Sequence, residues 1–174
     1  MNYLDFASLF HNIIQLLYAL GFFSELLVFI LVIYLIYPDR LNLTTFLVGL
    51  SANSLINRLL KPAFRDPRPS DPIKFLESER FPKKLEYTKN SNYYGMPSGH
   101  SQNVAFSLAY LYWTIRESDS VKLTSIVLGS LTVFERWWFR NHTIAQLVTG
   151  VIVGILLARF TLWLRDRIVV HKIV

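Results

Sequence analysis

The feature that most constrains this chain is that its apolar residues come in blocks about as long as a bilayer is thick. Leu26 to Tyr37 is unbroken apolar sequence. Extended back through Phe22, Phe23 and the single Glu25, it approaches the roughly 20 residues a helix needs to cross hydrocarbon. Leu41 to Leu60, Val104 to Ile115, Val121 to Phe134 and Ile144 to Leu164 repeat the pattern, each ended by charge, Pro or Gly. A water-soluble helix would carry a polar face in such stretches. The expected fold is therefore all-α: a single domain over residues 1–174, an integral membrane bundle of five to six transmembrane helices. Residues 1–21 are read as a separate N-terminal helix, because Asp5, His11, Asn12 and Gln15 interrupt its apolar run. It suits either an interfacial amphipathic helix, the preferred reading, or a sixth, partly polar bundle helix. The first basic residue is Arg40, so no positive region precedes the apolar start, and the segment is expected to stay on the mature protein as an anchor.

Hydrophobic residues make up 52% of the chain, and the formal net charge is +6. The basic residues sit in loops and helix ends rather than in one stripe on a soluble face, which argues against nucleic acid and for anionic headgroups or phosphate as partners. With no cysteine, disulfides and thiolate metal sites are excluded, and the chemistry must come from His, carboxylate, Lys or Arg.

The one long polar stretch, Lys61 to Met96, holds five of the chain's seven prolines, and with Pro97 it makes up the segment 61–97. It is expected to be an ordered active-site loop rather than a linker. Counting spans from it places the end of Leu41 to Leu60, the helix start after Pro97 and the Trp137 to His142 turn on one membrane face. Arg40, Arg116, Lys122, Arg165, Arg167 and Lys172 mark the opposite face, which favours a cytoplasmic side there and a lumenal or external active face.

Three motifs lie on that active face. In Lys61-Pro-Ala-Phe-Arg-Asp-Pro-Arg68-Pro69, two cations at the mouth of a span suit a phosphate dianion; Lys61 and Arg65 equally fit membrane-flanking side chains. In Tyr94-Gly-Met-Pro-Ser98-Gly99-His100-Ser-Gln102, Ser98 is placed as an N-cap, and the free N–H groups of that first turn would face an anion, with Ser98 and Gly99 as candidate phosphate-binding residues. His100 could deliver a proton to a leaving oxygen. Ordinary helix-start chemistry would also explain this motif. In Arg136-Trp-Trp-Phe-Arg-Asn-His142-Thr-Ile-Ala-Gln146, a helix beginning near Asn141 would put His142 and Gln146 on one face, with Gln146 orienting the imidazole. Trp137 and Trp138 fit an interfacial aromatic belt.

Together these motifs resemble the type 2 phosphatidic acid phosphatase superfamily, whose signatures Lys-x6-Arg-Pro, Pro-Ser-Gly-His and Ser-Arg-x5-His-x3-Asp occur in this order. The resemblance covers Lys61 to Gln146. It implies that His142 attacks phosphorus to form a phosphohistidine, and that His100 protonates the leaving group and then helps water attack. By the same resemblance Lys61, Arg68 and Arg136 clamp the nonbridging oxygens, and no metal or other cofactor is required.

Two positions depart from the family pattern. Glu135 stands where the family has Ser before the Arg, and Gln146 stands where it has Asp. The segments Gly95 to Gln102 and His142 to Gln146 look like the dolichyl diphosphatase branch, in which Gln is usual, although Gly99 replaces that branch's more usual Ser. The branch implies a polyprenyl diphosphate substrate in the endoplasmic reticulum, with the monophosphate kept as a glycan carrier. Phosphatidate or another lipid monophosphate is the alternative substrate. A catalytically weak scaffold or lipid binder is the alternative from another class. Arg65 and Arg140 are candidate accessory residues; Lys74, Arg80, Lys83, Lys84 and Lys89 read more simply as a solvated loop balanced by Asp66, Asp71, Glu77, Glu79 and Glu86. Gly150-x-x-x-Gly154 should allow close helix approach within the bundle, with dimerisation as the minority reading.

Overall fold

A computed structural model describes residues 3–69, 94–115 and 118–173. Five helices account for nearly all of them: α1 (Tyr3–Ile36), α2 (Arg40–Phe64), α3 (Gly99–Thr114), α4 (Asp119–Trp138) and α5 (Ile144–Ile173). Lys74, Arg80, Lys83, Lys84, Lys89, Asp71, Glu77, Glu79 and Glu86 lie outside the described residues, as does Arg116. The stretches His11–Ile36 and Ile144–Ile168 are each long and apolar enough to cross a membrane. Helix α1 runs unbroken through residue 21, and at about 1.5 Å per residue it is longer than the roughly 30 Å of a hydrocarbon core. Its polar residues are partly satisfied along the helix, since Gln15 Nε2 and His11 Nε2, one turn apart, lie 2.8 Å from each other.

Helix boundaries differ from the sequence expectation where the motifs lie. Helix α2 continues through Lys61 and Pro62 and stops at Phe64, because Arg65 adopts left-handed backbone (φ 50°) and returns its N–H to the Lys61 carbonyl. Lys61 is thus held on a helix and Arg68 on the turn after it. Helix α4 extends past Phe134 to include Glu135 and Arg136. Helix α5 begins at Ile144 rather than near Asn141, since Thr143 and Gln146 form a reciprocal cap. The Gln146 N–H donates to Thr143 Oγ1 (3.3 Å), and Gln146 Oε1 accepts from the Thr143 N–H (3.1 Å).

The apolar core lies toward one end of the bundle, where Val28, Val32, Ile36, Phe46, Phe106, Tyr110, Leu111, Ala158 and Leu162 cluster. The other end is filled by buried polar groups, among them Asn53, Asn57, Lys61, Gln102, Glu135, Arg136, His142 and Gln146. In α2 the residues Asn53, Asn57 and Lys61 recur at four-residue spacing, so a polar stripe climbs one face of the helix toward the motifs. Helix α3 is packed tightly against α5 through Gly150 and Gly154. A Cβ at Gly150 would lie 2.5 Å from the Ser98 carbonyl oxygen, and one at Gly154 would overlap the Gln102 carbonyl oxygen and reach within 2.9 Å of Phe106 N. Both glycines face α3 of the same chain, so the small-residue pair is used inside the bundle.

Replacing Gly154 by Leu is expected to lower the melting temperature in detergent by several degrees, because overpacking a close helix contact costs about 1–3 kcal/mol or more. Ile152→Leu, on the exposed side of α5, should leave it unchanged. Equal melting temperatures for both variants would contradict the close α3–α5 packing.

Candidate active site

The three motifs come together at the polar end of the bundle. An isolated antiparallel bridge pairs Pro67 with Tyr94, and the Gly95 N–H donates to the Asp66 carbonyl at 2.7 Å, so the two ends of the long loop are tied to each other. Lys61, buried at the end of α2, donates from Nζ to the Tyr94 carbonyl at 2.9 Å. Arg68 Nη1 donates to the Asn141 carbonyl (3.2 Å) and lies 3.0 Å from His142 Nε2.

His142 is buried in the turn between α4 and α5, with its N–H on the Arg136 carbonyl. That turn is closed by Arg140 in left-handed backbone (φ 52°), which sends the Asn141 and His142 N–H groups back to the same carbonyl. His142 Nδ1 is 3.1 Å from Gln146 Oε1. The orientation of this amide follows from its other side, where Nε2 donates to Asp66 Oδ2 and to the Pro67 carbonyl, each at 2.8 Å. Both of those partners are acceptors, so Oε1 must face the imidazole and Nδ1 must carry the proton. Nε2 then carries the lone pair, which accepts from Arg68 Nη1 in this structure and is the pair a nucleophile would use. Gln146 therefore acts from the first turn of a capped helix, not from a helical face shared with His142.

His100 sits in the first turn of α3, with Nε2 3.3 Å from Glu25 Oε2 of α1. Arg136 is buried at the end of α4. Its Nε lies 2.7 Å from Glu135 Oε2 at an angle too oblique for a hydrogen bond, so the contact is an ion pair, and the Phe22 ring stands 5.4 Å from the guanidinium. Arg136 Nη2 and the hydroxyls of Ser98 and Ser101 are buried without a hydrogen-bond partner among the described residues, which makes them donors available to phosphate oxygens. Ser98 does precede α3 as its N-cap, but its hydroxyl caps nothing and its N–H is taken by the Gln146 carbonyl at 3.0 Å. Its N–H is thus engaged, and the hydroxyl is the group without a partner among the described residues. Gly99 opens the helix beside Asn57, where a Cβ would stand a tight 3.3 Å from Asn57 Oδ1. Arg65 is exposed and turns its Nε back to the Pro62 carbonyl, and Arg140 is exposed on the turn beside His142.

The electrostatics are those of positive charge gathered where burial opposes it. Lys61, His100 and His142 lie beyond the ends of the apolar stretches, and all three are pushed toward their neutral forms. Burial lowers Lys61 to about 8, with Arg68 adding to the effect. Burial also lowers His100 to about 3, helped by Arg136, Arg68 and Lys61. His142 is held well below the ordinary histidine range by burial first, then by Arg68 and Lys61, against an opposing hydrogen bond to Gln146. Each group feels the others' positive charge, so a phosphate dianion would relieve all of them together.

Several residues of this arrangement escape a motif reading. Asp66, read from sequence as loop charge balance, bonds Gln146. Gly95 is required because a Cβ there would overlap the Gln146 amide. Thr143 makes the cap that places Gln146; the Thr-x-x-Gln spacing was its available signal. Glu25 announces itself only as a lone acid in an apolar run.

Residues 42–169 match the model of the PAP2 superfamily. The chain belongs to that superfamily. Among curated proteins, this PAP2 chain is 28% identical to human dolichyldiphosphatase 1 over 139 residues, 71% of the chain and 53% of that protein. It is 28% identical over 164 residues to a palmitoyl-protein thioesterase-dolichyl pyrophosphate phosphatase fusion of Schizosaccharomyces pombe, 86% of the chain and 24% of the fusion. The chain thus spans about half the length of the dolichyldiphosphatases it matches. A crystal structure of a transmembrane PAP2 type phosphatidylglycerolphosphate phosphatase from Bacillus subtilis shares the fold, with a TM-score of 0.61 at 19% identity over 90% of this chain and 77% of that one. The described residues are helical apart from turns and one isolated bridge, and the two apolar helices and this transmembrane neighbour support a membrane protein.

Because Lys61 is lowered to about 8, its positive charge is present below that pH and lost above it. For a phosphate ester or anhydride substrate, kcat/KM, which reports the free enzyme, should fall as pH rises through about 8. Lys61→Arg keeps the charge and should move that limb upward. An unmoved limb in Lys61→Arg would assign it to another group.

Proposed function

We propose that this protein is a membrane lipid phosphatase that cleaves a polyprenyl, dolichyl-type diphosphate to the monophosphate and inorganic phosphate. The observation that carries the reading is the His142–Gln146–Asp66 arrangement facing Arg68, with Lys61, Arg136 and His100 close enough to shift one another's charge. His142 Nε2 attacks the terminal phosphorus in line, a nitrogen–phosphorus bond forms, and the bridging oxygen leaves with the lipid monophosphate. Lys61, Arg68, Arg136 and the Ser98 hydroxyl stabilise the equatorial oxygens, the step where preorganised charge contributes most. Water then attacks the phosphohistidine with His100 as base, releasing phosphate and restoring His142. The cations of the chain supply the electrostatic stabilisation, so turnover is expected to survive a chelator.

Two features favour the anhydride over a lipid monoester. A departing phosphate has a second pKa near about 6 and leaves as an anion at neutral pH, so it does not depend on a proton from His100, which is neutral there. The alkoxide of a monoester must be protonated as it leaves. The second feature is the likeness to dolichyldiphosphatases, which also motivates placing the protein in the endoplasmic reticulum with the site on the lumenal face.

Phosphate release by detergent-purified protein, from a polyprenyl diphosphate beside phosphatidate at matched concentration, tests this reading. Preference for the diphosphate, abolished in His142→Ala and by vanadate, is the expected result. Preference for phosphatidate would overturn the substrate, and release from neither would overturn the activity.

A further inference from the structure

Glu25 is the one acidic residue between Gly21 and Ile36, and a carboxylate in such a helix carries a large solvation cost unless it is put to use. Its two oxygens face different partners. Oε2 lies 3.3 Å from His100 Nε2, and Oε1 accepts from Asn103 Nδ2 at 2.9 Å. Neither contact is required by the packing of an apolar helix, and no signature of the family reaches α1.

The bond to Asn103 is the end of a chain of side-chain amides. Asn57 Nδ2 donates to the Pro97 carbonyl (3.1 Å) and to Gln102 Oε1 (2.8 Å). Gln102 Nε2 donates to the Asn53 backbone carbonyl and to Asn53 Oδ1, each at 2.9 Å. Asn53 Nδ2 donates to Asn103 Oδ1 (2.8 Å), and Asn103 Nδ2 donates to Glu25. The Asn57 and Gln102 amides are fixed by the Pro97 and Asn53 carbonyls, which can only accept; Asn53 Oδ1 then faces the Gln102 donor, and Asn103 follows from Asn53 and the Glu25 carboxylate. Every donor therefore points toward Glu25. Such a row polarises in one direction and stabilises negative charge at its end.

We propose that Glu25 is the positioning carboxylate of His100. It accepts the Nε2 proton, so Nδ1 is the nitrogen that takes a proton from the water attacking the phosphohistidine, and the carboxylate stabilises the imidazolium that results. In that step the water oxygen–phosphorus bond forms, the His142 nitrogen–phosphorus bond breaks, and the proton held at Nδ1 is then returned to the departing phosphate. His142 has its own orienting group in Gln146; Glu25 gives the second histidine the same service from a different helix, following the logic by which a buried carboxylate orients a catalytic imidazole. Besides His100, the charged group facing Glu25 is Arg136 of α4, which belongs to the proposed phosphate clamp.

The inference rests on the proposed hydrolytic role of His100, and the test separates the two. Wild type, Glu25→Gln and His100→Gln are compared with a polyprenyl diphosphate labelled at the terminal phosphorus, reading kcat, KM, vanadate affinity and acid-quenched label on His142. Glu25→Gln keeps the shape and can still accept from Asn103, but loses the charge. The expected result is a fall in kcat of at least about 10- to 100-fold, the scale for removing the orienting partner of a metal-bound histidine, with about 10⁴ as the upper end for a catalytic imidazole. KM should fall with kcat, so that kcat/KM and vanadate affinity stay within about twofold, because slowing only the step after phosphoryl transfer leaves binding and the first chemical step untouched, and labelled phosphohistidine should accumulate as in His100→Gln. An unchanged kcat in Glu25→Gln, or a loss of vanadate binding that accompanies the loss of turnover, would overturn the role of Glu25. Absence of turnover and label in wild type would instead overturn the proposed function. If Glu25→Gln does not fold, Asn103→Ala, which frees Oε1, should show the same pattern more weakly; wild-type kcat in that variant would overturn the inference.

Discussion

The Gln146 side chain is fully buried, and nearly every other contact in the site depends on where its amide lies. One oxygen accepts from the His142 imidazole and from the Thr143 N–H; one nitrogen donates to the Asp66 carboxylate and the Pro67 carbonyl; the backbone carbonyl accepts from Ser98. Through these bonds the turn after α2, the start of α3 and the start of α5 are fixed relative to one another. An aspartate in its place would orient the imidazole but could not donate to Asp66. With glutamine, the anion is moved one hydrogen bond away, and the amide passes on its orienting effect while separating the charge from His142. The carboxylate beyond the Gln146 amide is thus that of Asp66, which belongs to the first motif.

The second constraint is the cost of holding cations where water is scarce. Lys61 and Arg136 are buried, Arg68 is partly so, and both histidines are driven neutral by their surroundings. Desolvation and mutual repulsion oppose this arrangement in the absence of an anion. The rest of the bundle offsets them: the apolar cluster around Phe46, Phe106 and Tyr110 lies at the far end, and the α3–α5 contact through Gly150 and Gly154 holds the polar end in shape. Helix α1 completes the wall, with Phe22 against Arg136, Gly21 against Glu135, Ser24 bonded to Thr132 and Glu25 against His100. Glu135, the departure from the family serine, is explained locally as the ion-pair partner that neutralises part of the Arg136 charge.

Much of this was legible in the sequence, for physical reasons. Apolar blocks dictate helices, and a lysine, two arginines and two histidines at fixed spacings near their ends point to phosphate chemistry. What the sequence hid was the set of contacts made by residues whose types are ambiguous. Asp66 lies among many loop charges and resembles them, and only the path of the turn after Arg65 brings it to Gln146. The exact start of α5 depends on the Thr143 cap, so counting from Asn141 gave a correct pair of residues for an incorrect geometric reason. Ser98 was placed correctly as the residue before α3, yet which of its groups is free depends on the Gln146 carbonyl, which belongs to another helix.

The relay through Gln146 is tested most directly by a double-mutant cycle in kcat/KM with Asp66→Asn, Gln146→Leu and the pair combined. If Asp66 acts on His142 through Gln146, each single change lowers kcat/KM and the double variant is no worse than Gln146→Leu alone. Multiplicative losses in the double variant would mean that Asp66 and Gln146 act independently, and the account of how this site is ordered would be wrong.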